Sequence, residues 1–334
     1  MTALILRRLL SVVLTLLGLT LVTFLIGRIS DIDPVLAIVG DHANRETYEH
    51  ARLELGLDQP ILVQYGRYLQ RAITGDFGRS VVSGRPVGED MLEVFPATLE
   101  LATAGLLIGV VLGVPMGVWA AVRRGGWPDQ LVRILSLIGY STPVFWLGLV
   151  GLLVFYGKLG WVGGPGRLDF GFEDVVPSVT GLITIDALLA GEGEVFVNAL
   201  NHLVLPAAIL GVLSLATIAR MTRVFMAGQL HQDYVLAARA RGLSFARVIW
   251  VHAFGNIRVP LITVVALSYG GLLEGAVLTE TVFAWPGLGL YMKNALFNAD
   301  MNAVLAGTLV VGAVFIALNR LSDLLYPLLD PRVG

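Results

Sequence analysis

Six apolar runs constrain this chain more than any other feature: Leu9–Ile26, Ala97–Ala121, Leu131–Gly157, His202–Val224, Leu261–Val282 and Ala303–Leu321. A helix rises about 1.5 Å per residue, so a run of about 20 residues crosses the roughly 30 Å hydrocarbon core of a bilayer. Lipid offers no hydrogen-bond partners, so each run must satisfy its own backbone, which a helix does and an open strand does not. The expected architecture is therefore an all-α polytopic membrane protein with six transmembrane helices. Composition agrees, since 56 % of the residues are hydrophobic and 14 % charged, too apolar for an ordinary soluble domain. Leu9–Ile26 is read as a retained span, because it is long for a signal peptide and lacks a small-residue cleavage site after it.

Charge orients the spans. The segments 1–8, 122–133, 219–258 and 320–334 hold thirteen basic residues against four acids, whereas the remainder holds ten against twenty-one. By the positive-inside rule those four segments are cytoplasmic, which places both termini inside. Topology accounts for these arginines, so no nucleic-acid partner is expected.

Within the spans, Gly105, Gly109, Gly113 and Gly117 recur every fourth residue and form a smooth stripe suited to close helix packing. Pro143 removes a backbone hydrogen bond and is expected to kink the third span. Glu274 is the one acid placed well inside a run, at an insertion cost of about 2.5–3.5 kcal/mol for a charge at mid-bilayer. It is read as facing a cavity or partner, or as making a helix-packing hydrogen bond, and Glu280 as lying at the outer mouth of its span.

The polar segments carry their own signals. In 31–93, Asp58-Gln59-Pro60 starts a helix with Ile61, Leu62, Tyr65 and Leu69 on one side and Gly75 as its stop. In 158–201, Gly163–Gly166 is a turn cluster and Ile185–Leu189 a short apolar helix. The segment Asp233–Pro260 is the most distinctive. Asp233 is expected to N-cap a short helix that Gly242 ends in a left-handed turn. Ala237, Ala238 and Ala240 keep that helix thin enough for another protein to approach closely. Ser244 then caps a second helix bearing Phe245, Val248, Ile249 and His252 on one face, before Pro260 enters the next span.

Other chemistry is excluded. The two lysines, Lys158 and Lys293, do not sit in a phosphate-cradling G-x4-G-K-[ST] loop. The five histidines, His42, His50, His202, His231 and His252, fall in loops or at span ends without metal-ligand spacing. There is no cysteine, hence neither disulfides nor thiolate sites. The chain is not read as an enzyme.

Several motifs together resemble one family. Ala237-Ala238-x3-Gly242 resembles the Glu-Ala-Ala-x3-Gly core of the cytoplasmic loop of ABC importer permeases, with Leu236 at the Glu position. The pairing of Ala238–Leu243 with His252–Pro260 is similar to the dipeptide/oligopeptide/nickel branch. Leu55–Pro60, Gly75–Ser80, Ala219–Arg223, Glu280–Gly289 and Asp330-Pro331-Arg332 are also family-like. The resemblance implies a type I ABC importer permease of the bacterial plasma membrane. It implies a first helix with an outer amphipathic segment over 1–95 and a transmembrane domain over 96–325. A coupling loop at 226–258 and a cytoplasmic tail at 326–334 complete the division.

The implied partners are a homologous second permease, two ATPase subunits and a periplasmic or lipid-anchored solute-binding protein, besides membrane lipid. No cofactor is expected in this chain, ATP and Mg belonging to the ATPases. Asp233, Ala237, Ala238, Arg239, Arg241 and Gly242 would couple to the ATPase, and Glu274 and Pro143 are candidates for the pathway. The implied cargo is peptide, with nickel complexes, oligosaccharides and glutathione as alternatives within the branch. An ion-gradient-driven secondary transporter is the alternative from another class.

Overall fold

The computed structural model describes residues 2–29, 34–40, 43–54 and 56–329. His42, Leu55 and the Asp330-Pro331-Arg332 ending lie outside the described residues. The helices in chain order are α1 (Thr2–Ile29), α2 (Pro34–Val39), α3 (Arg45–Glu54), α4 (Ile61–Thr74), α5 (Val87–Val122), α6 (Trp127–Ser141) and α7 (Val144–Gly151). They continue as α8 (Ile183–Ala190), α9 (Gly193–Leu230), α10 (Asp233–Ala240), α11 (Phe245–Arg247), α12 (Phe254–Val282), α13 (Leu288–Phe297) and α14 (Met301–Leu329). Among the described residues the extended pairing is limited to one isolated bridge, Arg79 with Pro86.

Among the described residues, five helical segments are long and apolar enough to cross a bilayer, and a sixth crossing exists if a bent pair counts as one. That pair corrects the reading of the third span. Pro143 does not kink a continuous helix; it sits at the N-cap of α7, after Thr142 in an extended conformation, and the two halves are bent by 99°. The residue before a proline is driven out of the α region, so the chain breaks at Thr142. The second half ends in a π-helical stretch, Leu152–Lys158.

Two long helices start earlier than their apolar runs. α5 begins at Val87, with Glu89 and Asp90 in its first turn, and α9 begins at Gly193, with Glu194 in its first turn. Acids there suit the positive end of the helix dipole, so a polar composition does not stop the helix. His202 consequently lies inside α9, buried, rather than at a span end. Pro260 likewise lies within α12 instead of opening it. Ser244 is at the N-cap of α11, but no independent second helix follows. Phe245 runs through the π-helical Val248–Ala253 directly into α12, as one 38-residue span to Val282.

The chain divides into two compact units, Met1–Phe95 with Gly287–Ile316, and Pro96–Pro286 with Ala317–Gly334. In the first, α4 packs on α1: Tyr65 and Tyr68 meet the hydroxyls of Thr20 and Thr23 at 3.0 and 3.1 Å, and the Phe24 ring touches both tyrosine rings. Tyr65 and Leu69 are half-buried, but Ile61 and Leu62 are exposed and not part of that face. Gly75 ends α4 with φ +75, as its sequence position predicts. A second apolar cluster joins Val87 and Met91 to Leu288, Ala295, Ala303 and Ala306.

In the second unit, α9 is the central rod, touched by α6, α7, α8 and α12. The glycine stripe of α5 lies directly on it. A Cβ at Gly105 would stand 3.4 Å from Gly211 N, and one at Gly113 would stand 3.2 Å from Ala219 N. Ser214 Oγ donates to Gly105 O at 3.0 Å across the seam. Such contact between backbones is what small residues at this spacing permit.

Candidate functional site: an exposed helix and two buried charge networks

The segment after α9 folds as a short helix with an inner and an outer face. Asp233 is the first helical residue and Gln232 holds the N-cap position, so the expected Asp233 cap is corrected; its carboxylate still faces the favourable end of the dipole. The helix ends at Arg241, after which Gly242 takes φ +75 and donates to Arg239 O at 2.9 Å. Leu243 N then reaches Ala238 O, a closure that favours glycine because L residues are strained there.

Val235 and Ala238 point inward and form a small core with Val248, flanked by Tyr234 and Leu243. Tyr234 donates to Gln229 Oε1 at 2.7 Å, tying α10 back to the end of α9. The expected thin alanine face is therefore split. Ala238 is 8 % exposed and serves this chain's own packing, whereas Ala237 and Ala240 are exposed beside Leu236, which is 58 % exposed. Asp233, Arg239 and Arg241 are exposed too, with the Arg239 guanidinium 5.9 Å from the Phe245 ring centre. An outward surface of one leucine, small alanines and two arginines suits a close partner with acidic groups.

Asp129 forms the first buried charge network. Its carboxylate is fully buried and accepts from Arg223 Nε and from Gly125 N at 2.9 Å, with Arg133 at 3.5 Å. The turn at 123–126, the start of α6 and the last turns of α9 are thereby locked together. Arg220, three residues earlier on α9, lies over the Tyr140 ring at 4.8 Å and donates to its hydroxyl at 3.1 Å.

The second network joins the connection between α7 and α8 to α5 and the end of α12. Glu100 accepts from Arg167 at 2.5 Å and from Thr184 Oγ1 and N at 2.6 and 2.9 Å. Arg167 also lies over Trp285, whose Nε1 donates to Ala97 O at 2.9 Å. Glu280 is fully buried and accepts from Thr98 at 2.6 Å, so it is a packed residue within its span. Near by, burial pushes the Asp186 carboxyl up, but donors from Thr180, Gly181 and Val179 outweigh that and hold it below the usual carboxylate range. Neither Glu100 nor Arg167 stands out in the sequence, because a partner 67 residues away leaves no local pattern.

Glu274 occupies a different setting. It is exposed on α12, in line with exposed Leu267, Leu278 and Thr281, and Gly271 between them has open space where a side chain would stand. Among the described residues it accepts no hydrogen bond and forms no ion pair, so a packing hydrogen bond within this chain does not explain it. Glu100 and Glu280 also lie in helices, α5 and α12, with Glu280 close to the end of its own. The structure places Glu274, Pro143 and α10 on separate elements. Among the described residues, no group of His, Asp and Glu is placed to hold a metal ion.

Helices long and apolar enough to cross a bilayer, with a short exposed helix between α9 and α12, define a multi-pass membrane protein. The chain belongs to the family described as binding-protein-dependent transport system inner membrane component, which matches residues 113–334, and the family's N-terminal component matches residues 1–102.

It is 45 % identical to the probable D,D-dipeptide transport system permease protein DdpB of Escherichia coli strain K12, over 97 % of this chain and 95 % of that protein. It is 43 % identical to the di/tripeptide transport system permease protein DppB of Pseudomonas aeruginosa, over all of this chain and 99 % of that one. Among solved structures it is similar in fold to the inward-facing MetNI methionine ABC transporter. The TM-score is 0.52 at 17 % identity, over 70 % of this chain and 93 % of that one. The chain is thus a permease subunit of an ABC importer in the bacterial plasma membrane and not itself an enzyme, and the ion-gradient alternative is set aside. Membership implies a partner permease, ATPases and a solute-binding protein.

Proposed function

We propose that this chain, with a homologous second permease, forms the pathway by which di- or oligopeptides enter the cell, after delivery by a periplasmic or lipid-anchored binding protein. The support for peptides is that relatives at 43–45 % identity over nearly their whole length carry dipeptide or di/tripeptide names. Two ATPase subunits would hold ATP and Mg and drive the cycle. The charge asymmetry supports cytoplasmic termini, with 1–95 as the first span plus outer segment, 96–325 as the transmembrane domain and 326–334 as the tail.

The observation that carries the mechanism is α10 itself. It is anchored inward by Val235 and Ala238, and offers Leu236, Ala237, Arg239, Ala240 and Arg241 outward. On this reading 226–258 is the coupling loop, and the outward face of α10, with Asp233 at its start and Gly242 at its end, enters a groove of the ATPase. The absence of native cysteine gives a clean background for crosslinking. A cysteine at Arg239 should crosslink to the ATPase, and Ala240→Glu should abolish both the crosslink and transport while the permease still assembles. Normal transport with an undiminished crosslink in Ala240→Glu would refute the docking role. Ala238→Glu is a different experiment, since it buries a charge against Val248 and destabilises the loop itself.

Glu274, on the uncovered face of α12, and Pro143, at the break before α7, are proposed to border the pathway. A lone carboxylate on an apolar span face is costly against lipid, which favours a water-filled path or a partner over a lipid contact. Glu274→Gln should leave assembly intact and alter uptake of cationic peptides severalfold more than neutral ones. Uptake assays showing equal change for both classes would remove it from the pathway.

A further inference from the structure

A cavity of about 340 Å³ lies wholly within the first unit, bordered by the end of α1, by α4 and by the start of α14. Its wall carries two chemistries. Phe24, Phe77, Leu305 and Ala306 are apolar lining, and Arg28, Arg67, Arg71 and Arg79 basic lining, against one acid among the described residues, Asp76. Asp76 already accepts from Gly78 N at 3.1 Å, and Arg79 donates to Gly84 O. Arg28, Arg67 and Arg71 form no ion pair among the described residues. Four guanidinium groups against one carboxylate among the described lining residues favour an anionic occupant, and their forked donors suit phosphate.

Two further observations narrow that occupant. Gln64 lines the same cavity, and its Nε2 donates to Leu57 O at 3.2 Å and Gln59 O at 2.7 Å. Those bonds fix the amide and leave its buried Oε1 without a donor, so the occupant should bring a hydroxyl or N–H close to its anion. Arg28 closes the apolar stretch Leu10–Ile29, 20 residues long, which spans about 30 Å and matches the hydrocarbon core. Arg28 therefore stands at headgroup level on α1, with its guanidinium 5.4 Å from the ring centre of Phe24, whose own position is one turn nearer the acyl chains.

We propose that this cavity is a site for one anionic glycerophospholipid with a hydroxyl-bearing headgroup. Arg28, Arg67 and Arg71 hold its phosphate, Gln64 Oε1 accepts from the headgroup hydroxyl, and the acyl chain runs along Phe24 and Leu305. The bound lipid then fills the seam between α1, α4 and α14.

The test uses the importer complex, delipidated in mild detergent and titrated with defined lipids while binding is followed by native mass spectrometry and thermal unfolding. Phosphatidylglycerol should bind at one site per chain and raise the unfolding temperature, and phosphatidylcholine should do neither. Arg67→Gln with Arg71→Gln should weaken phosphatidylglycerol about 30-fold, at about 1 kcal/mol for each arginine near an anionic lipid. Gln64→Leu should weaken phosphatidylglycerol but leave phosphatidic acid, which has no headgroup glycerol, unchanged. Arg45→Gln with Arg52→Gln, exposed on α3 outside the cavity, should leave all binding as it was. Equal binding of phosphatidylcholine and phosphatidylglycerol would overturn the proposal. So would an unchanged phosphatidylglycerol affinity in the correctly assembled Arg67/Arg71 variant. Inorganic phosphate that reproduces the thermal shift alone would mark the cavity as a soluble-anion site and equally overturn the lipid assignment.

Discussion

Gly117→Ala is expected to cost this permease its assembly, although it adds only one methyl group. A Cβ at Gly117 would stand 2.5 Å from Ala219 O, 2.6 Å from Thr222 Cβ and 3.0 Å from Arg223 N. Two of those atoms are backbone of α9, so no side-chain rotation relieves the clash; the helices must separate or shift. Overpacking a tight core costs about 1–3 kcal/mol when neighbours can yield, and rigid backbone puts this case at the upper end or beyond. Separation at this level would also pull Arg223 from Asp129, as Arg223 follows directly in α9. Size-exclusion profiles and thermal unfolding in detergent should show at least a tenfold drop in monodisperse protein, with Gly117→Val worse. Gly228→Ala, where nothing lies within 4 Å, should behave as wild type. Normal folding of Gly117→Ala would mean that α5 and α9 do not approach as described.

Asp129→Ala is expected to be the most damaging change to a charged residue in the second unit. It removes the acceptor for Arg223 and Gly125 N and leaves the Arg223 guanidinium, 18 % exposed, without its carboxylate. Breaking one side of a buried pair costs about 3–5 kcal/mol, much of it for the charge left behind. Arg223→Leu alone should be similarly harmful, whereas Asp129→Leu with Arg223→Leu should recover a large part of the loss, since neither charge is then stranded. A thermal-melt double-mutant cycle measures this, and strict additivity of the two single changes would show that the pair is not coupled. Arg133, 57 % exposed at 3.5 Å, should matter far less, because exposed pairs contribute only a few tenths to about 1 kcal/mol.

The legible parts of this chain were those written in local pattern. Long apolar runs announced the spans; Gly75 and Gly242 announced helix ends; glycines every fourth residue announced the α5 seam. Each depends on residues within a turn or two of one another. The break at Thr142 was also legible in principle, because proline restricts its predecessor, but a proline amid apolar residues invites the simpler reading of a kink. Less legible were the early starts of α5 and α9, where acids that look like loop composition stabilise a helix N-terminus instead.

What was not legible depends on distant partners. Glu100 with Arg167, Asp129 with Arg223 and Ser80 with Asp300 are set by the tertiary fold, and their separations of 67, 94 and 220 residues leave no trace in a local window. The same limit applies to the alanines of α10. Composition shows that the helix is thin, but only Val248, arriving from the following segment, decides that Ala238 faces inward while Ala237 and Ala240 face out.

The length of α9 carries a mechanical consequence. Its 38 residues make a rod about 57 Å long, nearly twice the roughly 30 Å hydrocarbon thickness, so both ends project well beyond the lipid tails. One end lies against α8; the other carries the short outward helix two residues further on. Were such a rod to pivot about its midpoint by about 10°, each tip would travel roughly 5 Å in opposite directions. A small rotation where α9 crosses the glycine seam is thus geared up into a displacement of nearly one helical turn's height at each extremity.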